Sequence, residues 1–259
     1  MWVLATDIDN TLTGQETALR ELAAQLDALQ RQELLFLILA TGRRLEQVLS
    51  GFAGEGLPRP KAIISQVGTE IYLPPFAPEM APLAAWKERL LRSFSRRRAL
   101  RFLEGIEGLE IQPQMYNTAL KVSVFLHRAP DPEAAAAQVR ERVAASDADD
   151  QYRVVWSSGK HLDIIPAQAG KGNAIHFLLE HKRLDAQRLV VAGDSGNDLS
   201  MFRVAPRGIV VANAQPELQR LRDEAHEGLF FATAECAAGV AQGLRHFGIL
   251  RETSSVRES

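Results

Sequence analysis

The chain carries one cysteine, Cys236, in 259 residues. An internal disulfide is excluded, and a reducing, cytosolic setting fits. No apolar run approaches the roughly 20 residues that a membrane span requires, and no basic leader precedes an apolar stretch. A soluble, cytoplasmic protein with no membrane partner is expected. Excess charge is also missing: 30 Lys and Arg stand against 32 Asp and Glu, for a formal net charge of -2. That argues against a general polyanion binder, and no nucleic-acid partner is expected. A small anionic substrate stays open, because a local basic pocket does not need a basic protein. No G-x-x-x-x-G-K-[ST] occurs, so a P-loop nucleotide site is not supported. No repeat of fixed period runs through the chain.

What is present is ordinary globular material, 46% hydrophobic and 24% charged, enough for a sizeable core. W-V-L-A-T (2–6) is a short apolar run. An amphipathic helix follows from about Glu16 to Gln30, with Leu19, Leu22, Leu26 and Leu29 at helical spacing. L-L-F-L-I-L-A (34–40) is apolar throughout and stops at T-G-R, as a central parallel strand would. A helix over 43–51, a strand at 62–65 and a turn with a short extended piece at 67–72 come next. The alternation resumes near Lys171 with helix 172–182, strand 188–193 and a short helix to Phe202. Strand 208–212 and helices 214–224 and 235–247 complete it. Such alternation implies a parallel sheet covered on both faces.

The middle differs. L-P-P-F-A-P-E-M-A-P (73–82) holds four prolines in ten residues and reads as a linker. Behind it stand a long helix (83–103), a strand (119–127), an Ala-rich helix (131–145) and strands at 152–157 and 161–165. The expectation is an α/β protein with a Rossmann-like parallel-sheet core in two parts, 1–76 and 167–259. An α+β domain at 77–166 is inserted between them.

Four strand ends bring polar groups to one rim of this core, where open α/β sheets bind their ligands. Asp7 and Asp9 follow the first strand, and Thr41-Gly42-Arg43 follows the second. Asp194-Ser195-Gly196-Asn197-Asp198 follows V-V-A-G, and Asn213 follows G-I-V-V-A. Any one of these is explained as turn or cap chemistry; four together point to a site. Up to four carboxylates near one point repel one another unless a cation or proton intervenes. Oxygen ligands without Cys or His companions suit Mg2+, and Mg2+ suits phosphoryl transfer. Lys171 and Thr41 are candidates to hold phosphoryl oxygens, and Asp9 suits a general acid.

D-I-D-N-T (7–11), A-T-G-R (40–43), G-K-G-N-A (170–174) and G-D-S-G-N-D (193–198) occur in this order, each in its strand–loop context. The ordered set resembles the haloacid dehalogenase-like phosphohydrolases over almost the whole chain, the insertion being similar to that family's larger cap type. V-G-T-E-I-Y (67–72), V-V-W-S-S-G-K-H-L-D-I-I-P (154–166) and V-V-A-N-A-Q-P-E-L (210–218) look most like the sucrose-phosphate phosphatase branch. The resemblance implies Asp7 as nucleophile, forming an aspartyl phosphate. It implies Asp9 as acid and then base, its backbone carbonyl on Mg2+. Thr41 would bond a phosphoryl oxygen, and Lys171 would neutralise the phosphate and Asp7. Asp194 would ligate Mg2+, with Asn197 and Asp198 completing or supporting that shell. Many relatives have Gly where this chain has Asn10, a replacement that the sucrose-phosphate branch tolerates.

The cap is expected to read the sugar. Lys121, at the start of K-V-S-V-F-L, and Lys160, His161 and Asp163, in S-G-K-H-L-D, offer donors and acceptors to hydroxyls. Gly42, Arg43, Gln66, Glu70 and Asn197 are expected to reach the substrate from the core rim. His161 has no second ligand at metal spacing, and Met115 and Tyr116 read as loop packing. R-S-F-S-R-R-R-A-L-R (92–101) reads as the exposed face of the cap helix, balanced by Glu88, Glu104 and Glu107. Guidance of an anionic substrate, or a partner surface, is the alternative reading of that run. The functional expectation is a Mg2+-dependent sugar-phosphate phosphatase acting on sucrose 6-phosphate. The alternatives are mannosylfructose phosphate, mannosyl-3-phosphoglycerate or glucosylglycerol phosphate as substrate, a phosphomutase, or a non-catalytic phosphosugar-binding module. A cap of this size covers the site alone, which favours a monomer.

Overall fold

Strand alternation sorts the apolar residues of the core onto two faces. In a computed structural model of the chain, which describes residues 1–148, 150–157, 159–223 and 228–251, Val3 and Ala5 face one side and Leu4 the other. Ser158 of the S-S-G-K stretch and Glu224, at the end of the helix expected over 214–224, lie outside the described residues.

In chain order the first elements are β1 (Trp2–Thr6), α1 (Glu16–Arg31), β2 (Leu35–Ala40), α2 (Leu45–Gly54), β3 (Ala62–Ser65) and β4 (Glu70–Tyr72). The middle of the chain gives α3 (Ala84–Leu91), α4 (Arg96–Arg101), β5 (Glu110–Ile111), β6 (Val122–Phe125), α5 (Pro132–Ala144), β7 (Tyr152–Ser157) and β8 (His161–Pro166). The rest is α6 (Lys171–Lys182), β9 (Leu189–Gly193), α7 (Leu199–Phe202), β10 (Arg207–Val210), α8 (Pro216–Gln219), β11 (Leu229–Phe231) and α9 (Cys236–His246).

Seven strands form the core sheet in the order β11-β10-β9-β1-β2-β3-β4. All neighbours are parallel except β3 and β4. β1 pairs with β2 on one side and β9 on the other, so its carboxyl end marks the switch point of the sheet. Leu4, Leu37, Leu39 and Ile63 pack under α1 and α9, which bury Leu22, Leu26, Val240 and Leu244. Ile38, Ala40 and Ile64 pack under α6, through Ala174, Ile175 and Leu178. Each fully buried Leu or Ile contributes about 1.5–3 kcal/mol. No helix of the described residues is long and apolar enough to cross a membrane.

The second sheet is antiparallel, in the order β5-β6-β8-β7. Alternation divides it as well. Val122, Val124, Leu162 and Ile164 face Ala99, Phe102 and Val139 of the helices and close their own core. Ser123 and Phe125 pair in register with Asp163 and His161 on the opposite face. That polar face is the one turned toward the core rim.

The long helix expected over 83–103 is two helices. Trp86 and Leu90 of α3 pack into the core-sheet cluster, whereas Ala99 and Phe102 pack into the cap cluster. The chain changes direction between them, and Ser95 starts α4 by accepting a hydrogen bond from the Arg98 amide. The arginine run is thereby split, with Arg98 paired to Asp147. Helix 214–224 shortens to α8 and a 3-10 turn over Arg220–Asp223.

Candidate active site

The Asp7 amide donates to the Ala192 carbonyl at 2.9 Å, which fixes Asp7 at the carboxyl end of β1 beside β9. Ile8 is buried in the core, so Asp7 and Asp9 are turned together toward the rim. The amides of Thr11, Leu12 and Thr13 close back on the Ile8 carbonyl. Asn10 has φ 56, a left-handed conformation that Asn and Gly accept more readily than other residues. Asn213, after β10, donates to the Asn10 carbonyl at 2.7 Å and holds that turn.

Lys171 opens α6 and is fully buried. Its Nζ donates to Asp7 Oδ1 at 2.7 Å and to Asp198 Oδ1 at 2.6 Å. The other Asp198 oxygen accepts from the Asp194 and Ser195 amides at 3.0 and 3.1 Å. Asp194 Oδ1 accepts from the Thr11 hydroxyl at 3.3 Å. Two glycines make room for this lysine. A Cβ on Gly68 would stand 2.2 Å from the Gly170 carbonyl carbon, and one on Gly172 would stand 2.0 Å from the Ser200 carbonyl oxygen.

One oxygen each from Asp7, Asp194 and Asp198 lie within 4.8 Å of one another, all on buried residues. Burial pushes the Asp7 carboxyl well above its usual range; Lys171 opposes this, and the charges of Asp198 and Asp194 add to it. Asp194 is pushed up to about 7, by burial first and then by Asp198. Burial works against the Lys171 charge, but Asp198 and Asp7 raise its proton affinity above the usual lysine value. Three carboxylates against one ammonium leave a surplus that a cation relieves. Asn197 adds a buried Oδ1 with no partner among the described residues. This hard-oxygen set suits a divalent metal. Asp198, with both oxygens engaged, braces Lys171 and the loop.

Thr41 is fully buried. Its hydroxyl accepts from the Arg43 amide at 3.1 Å. The Arg43 guanidinium spans Asp9, at 2.7 Å, and Glu55, at 2.5 Å, and these contacts, Glu55 first, raise its proton affinity further. After β3, Gln66 and Val67 both adopt positive φ, 51 and 59. Their amides donate to the Arg43 and Thr41 carbonyls at 3.1 Å, tying the two loops together.

A cavity of about 420 Å3 separates this rim from the polar face of the cap. Asp7, Asp9, Gly42, Arg43, Asp194 and Asn197 line its floor. Lys121, His161 and Asp163 line its roof, with Gln112, Tyr116 and Phe125 beside them. Lys121 and Asp163 form a buried pair at 3.6 Å, and Asp163 also accepts a short bond from Ser123. Gln112 Nε2 stands 3.1 Å from His161 Nδ1. Burial lowers the proton affinity of His161; Asp163 opposes this, and Lys121, Lys160 and His127 add to it.

Four expected residues stand elsewhere. Lys160 is exposed in the turn between β7 and β8. Gln66 is buried. Glu70 accepts from Ser65 and Tyr72 at 3.1 and 2.9 Å, off the cavity wall. Thr41 is covered rather than lining. Tyr116, expected as loop packing, is on the wall, with Arg44 5.5 Å from its ring centre. Met115 next to it is exposed.

The same architecture occurs in the sucrose-phosphatase of a Synechocystis species in complex with sucrose and phosphate. That structure has a TM-score of 0.86 and 30% identity, over 95% of this chain and 98% of the other. The mannosylfructose-phosphate phosphatase of Agrobacterium fabrum is 35% identical over 250 residues, 95% of this chain and 97% of that protein. Sucrose-phosphatase 1 of Nicotiana tabacum is 27% identical over 263 residues, 97% of this chain and 60% of that longer protein. The fold and the site define a haloacid dehalogenase-like phosphohydrolase, a phosphatase of the class that generally uses a divalent metal. Within it, the chain belongs to the sucrose-6F-phosphate phosphohydrolase family, whose family model matches residues 1–248.

Proposed function

We propose that the chain is a Mg2+-dependent disaccharide-phosphate phosphatase whose substrate is sucrose 6-phosphate. The observation that carries this reading is the buried Lys171 ammonium, 2.7 Å from Asp7 Oδ1. It holds one oxygen of Asp7 and leaves the other free to attack. That oxygen bonds to phosphorus as the bond to the sugar oxygen breaks, and Asp9 gives the leaving oxygen its proton. Water then attacks the phosphorus of the aspartyl phosphate, Asp9 takes the proton, and Asp7 is restored. Lys171 stabilises the phosphoryl oxygens, and Thr41 holds the Arg43 loop behind the site. Arg43 sets the direction of the Asp9 side chain. Asp7, Asp194, the Asp9 carbonyl and the neighbouring Asn197 would hold Mg2+, which would neutralise charge on the transferring group.

The insertion at 77–166 serves as the cap and reads the sugar. Lys121, His161 and Asp163, with Gln112, supply donors and acceptors, and Tyr116 supplies an aromatic face. The family description and the relative that holds sucrose and phosphate support sucrose 6-phosphate. Mannosylfructose phosphate is the second reading, favoured by the 35% identity to the Agrobacterium phosphatase.

A phosphate-release panel with Mg2+ tests the assignment by kcat/KM. It compares sucrose 6-phosphate, mannosylfructose phosphate, mannosyl-3-phosphoglycerate and the glucose and fructose phosphates. Sucrose 6-phosphate is expected to lead, with release lost in EDTA and in Asp7→Asn. A lead for mannosylfructose phosphate moves the assignment to the second reading. No release from either disaccharide phosphate overturns both.

A further inference from the structure

A second cavity, of about 520 Å3, lies beside the first, between β7 of the cap and α6, α7 and α8 of the core. Val67 and Asn197 border both cavities, whereas Asp7, Asp9 and Asp194 border only the first. Its charge is one-sided. Arg140 on α5, Arg153 on β7 and Arg203 just after α7 line it, against the carboxylate of Glu217. Arg153 is half-buried; Arg140 and Arg203 stand at exposed positions around it. No hydrogen bond or ion pair joins any of the three guanidinium groups to the described residues. Arg140 lies 5.8 Å from the Trp156 ring centre. The indole N–H of Trp156, on the same wall, is buried and has no acceptor among the described residues. Burial, and then the charge of Arg203, lowers the proton affinity of Arg153.

Arginines that serve only the fold close ion pairs or pack along their stems. Here two of them, Arg153 and Arg203, repel each other across a cavity that also carries an unused N–H donor. Guanidinium forks match tetrahedral oxyanions through paired N–H···O contacts. We propose that this cavity binds a phosphate-type dianion, which joins the cap, through Arg140 and Arg153, to the core, through Arg203.

Both walls of the cavity touch the catalytic machinery. A Cβ on Gly170, the residue before Lys171, would stand 2.7 Å from Arg153 Nη1. A Cβ on Gly196, in the loop that carries Asn197 and Asp198, would stand 3.3 Å from the Trp156 carbonyl oxygen. A bound anion therefore fixes the cap where it meets the lysine and the metal loop. Free phosphate and the phosphate group of an ester share this chemistry.

The test uses full-length, metal-free protein in EDTA, because the surplus carboxylates then repel anions from the catalytic cavity. Thermal melting is compared in phosphate, sulfate and glucose 6-phosphate, each against NaCl of equal ionic strength. Phosphate is expected to raise Tm saturably by several degrees. Arg153→Gln/Arg203→Gln should lose most of that gain, yet melt no lower than the wild type in NaCl, because it removes a like-charge pair. An equal gain with glucose 6-phosphate assigns the site to esters, and a smaller one assigns it to the free oxyanion. No gain in the wild type, or an undiminished gain in the double variant, overturns the proposal. A double variant that melts lower in NaCl also overturns it, by marking the arginines as structural. Arg203→Gln alone, at an exposed position, gives the same decision if the double variant does not fold. The readout is stability and not turnover, so failure here leaves the chemistry proposed at Asp7 untouched.

Discussion

Lys171 Nζ stands 2.7 Å from Asp7 Oδ1, with side-chain exposures of 0% and 6%, across 164 positions of sequence. Asp198 completes the contact at 2.6 Å, equally buried. The ammonium is the counter-charge for the carboxylates around it. Replacing it, Lys171→Met, breaks a buried network, which typically costs about 3–5 kcal/mol. Urea denaturation should show a loss of that size, with phosphate release falling by about a hundredfold or more. A variant as stable as the wild type would remove this account of the charge balance.

The same crowding sets a pH dependence. Asp194 is pushed up to about 7, from an ordinary 3.8, by burial first and Asp198 second. A carboxyl with a raised folded pKa stabilises the fold while protonated. The contribution is present below about pH 4 and is lost as pH rises through about 7. Metal-free wild type should therefore lose stability across that window relative to Asp194→Asn. A divalent cation binds the ionised form, so added Mg2+ should restore stability most above pH 7. Denaturation midpoints at pH 5 and pH 8, with and without Mg2+, measure this; parallel behaviour of the two proteins would contradict it.

The floor of the site was legible in the chain because each polar group directly follows an apolar strand run. Asp7, Arg43, Asp194 and Asn197 all reach the cavity that way. The roof was only partly legible. Gln112 follows the two-residue β5, too short to show a period. It reaches His161 only because β5 pairs with β6 and β6 with β8, relations that no local pattern carries. Tyr116 sits in a 3-10 turn after Pro113. Glu70 was misleading because it opens β4, where Ser65 of β3 and Tyr72 of its own strand both donate to one of its carboxylate oxygens. The break between α3 and α4 was hidden for another reason. Both halves keep helical spacing, but they serve different cores. Positive φ at Gln66 and Val67 is imposed by bonds to the Thr41–Arg43 loop, against the preference of a β-branched residue.

Gly68 is the tightest junction between that loop and the lysine. It has φ +87, and an added Cβ would lie 2.2–2.6 Å from backbone atoms of Gly170 and Lys171. Backbone cannot yield as a flexible side-chain tip does. Gly68→Ala should therefore displace the start of α6, costing more than about 2 kcal/mol. Activity should fall further than the unfolded fraction explains, because Lys171 moves with it. Melting together with specific activity, measured well below Tm, separates the two effects. Wild-type values for both would refute the contact.

Lys121 and Asp163 pair at 3.6 Å, with side chains only 4% and 8% exposed, in the roof over the cavity. In the proposed reading the pair has two jobs that mutation can divide. Lys121→Met strands a buried carboxylate and should lower stability by several kcal/mol. Adding Asp163→Asn removes the stranded charge, so Lys121→Met/Asp163→Asn should recover most of that stability. Substrate binding should not recover with it. A charged hydrogen bond to a sugar hydroxyl is worth about 1.5–3 kcal/mol, so KM should stay raised by about 10–100-fold. kcat should change far less, since neither residue touches the reacting phosphorus. If KM returned to the wild-type value in the double variant, the pair would be a structural brace of the roof and not part of sugar recognition.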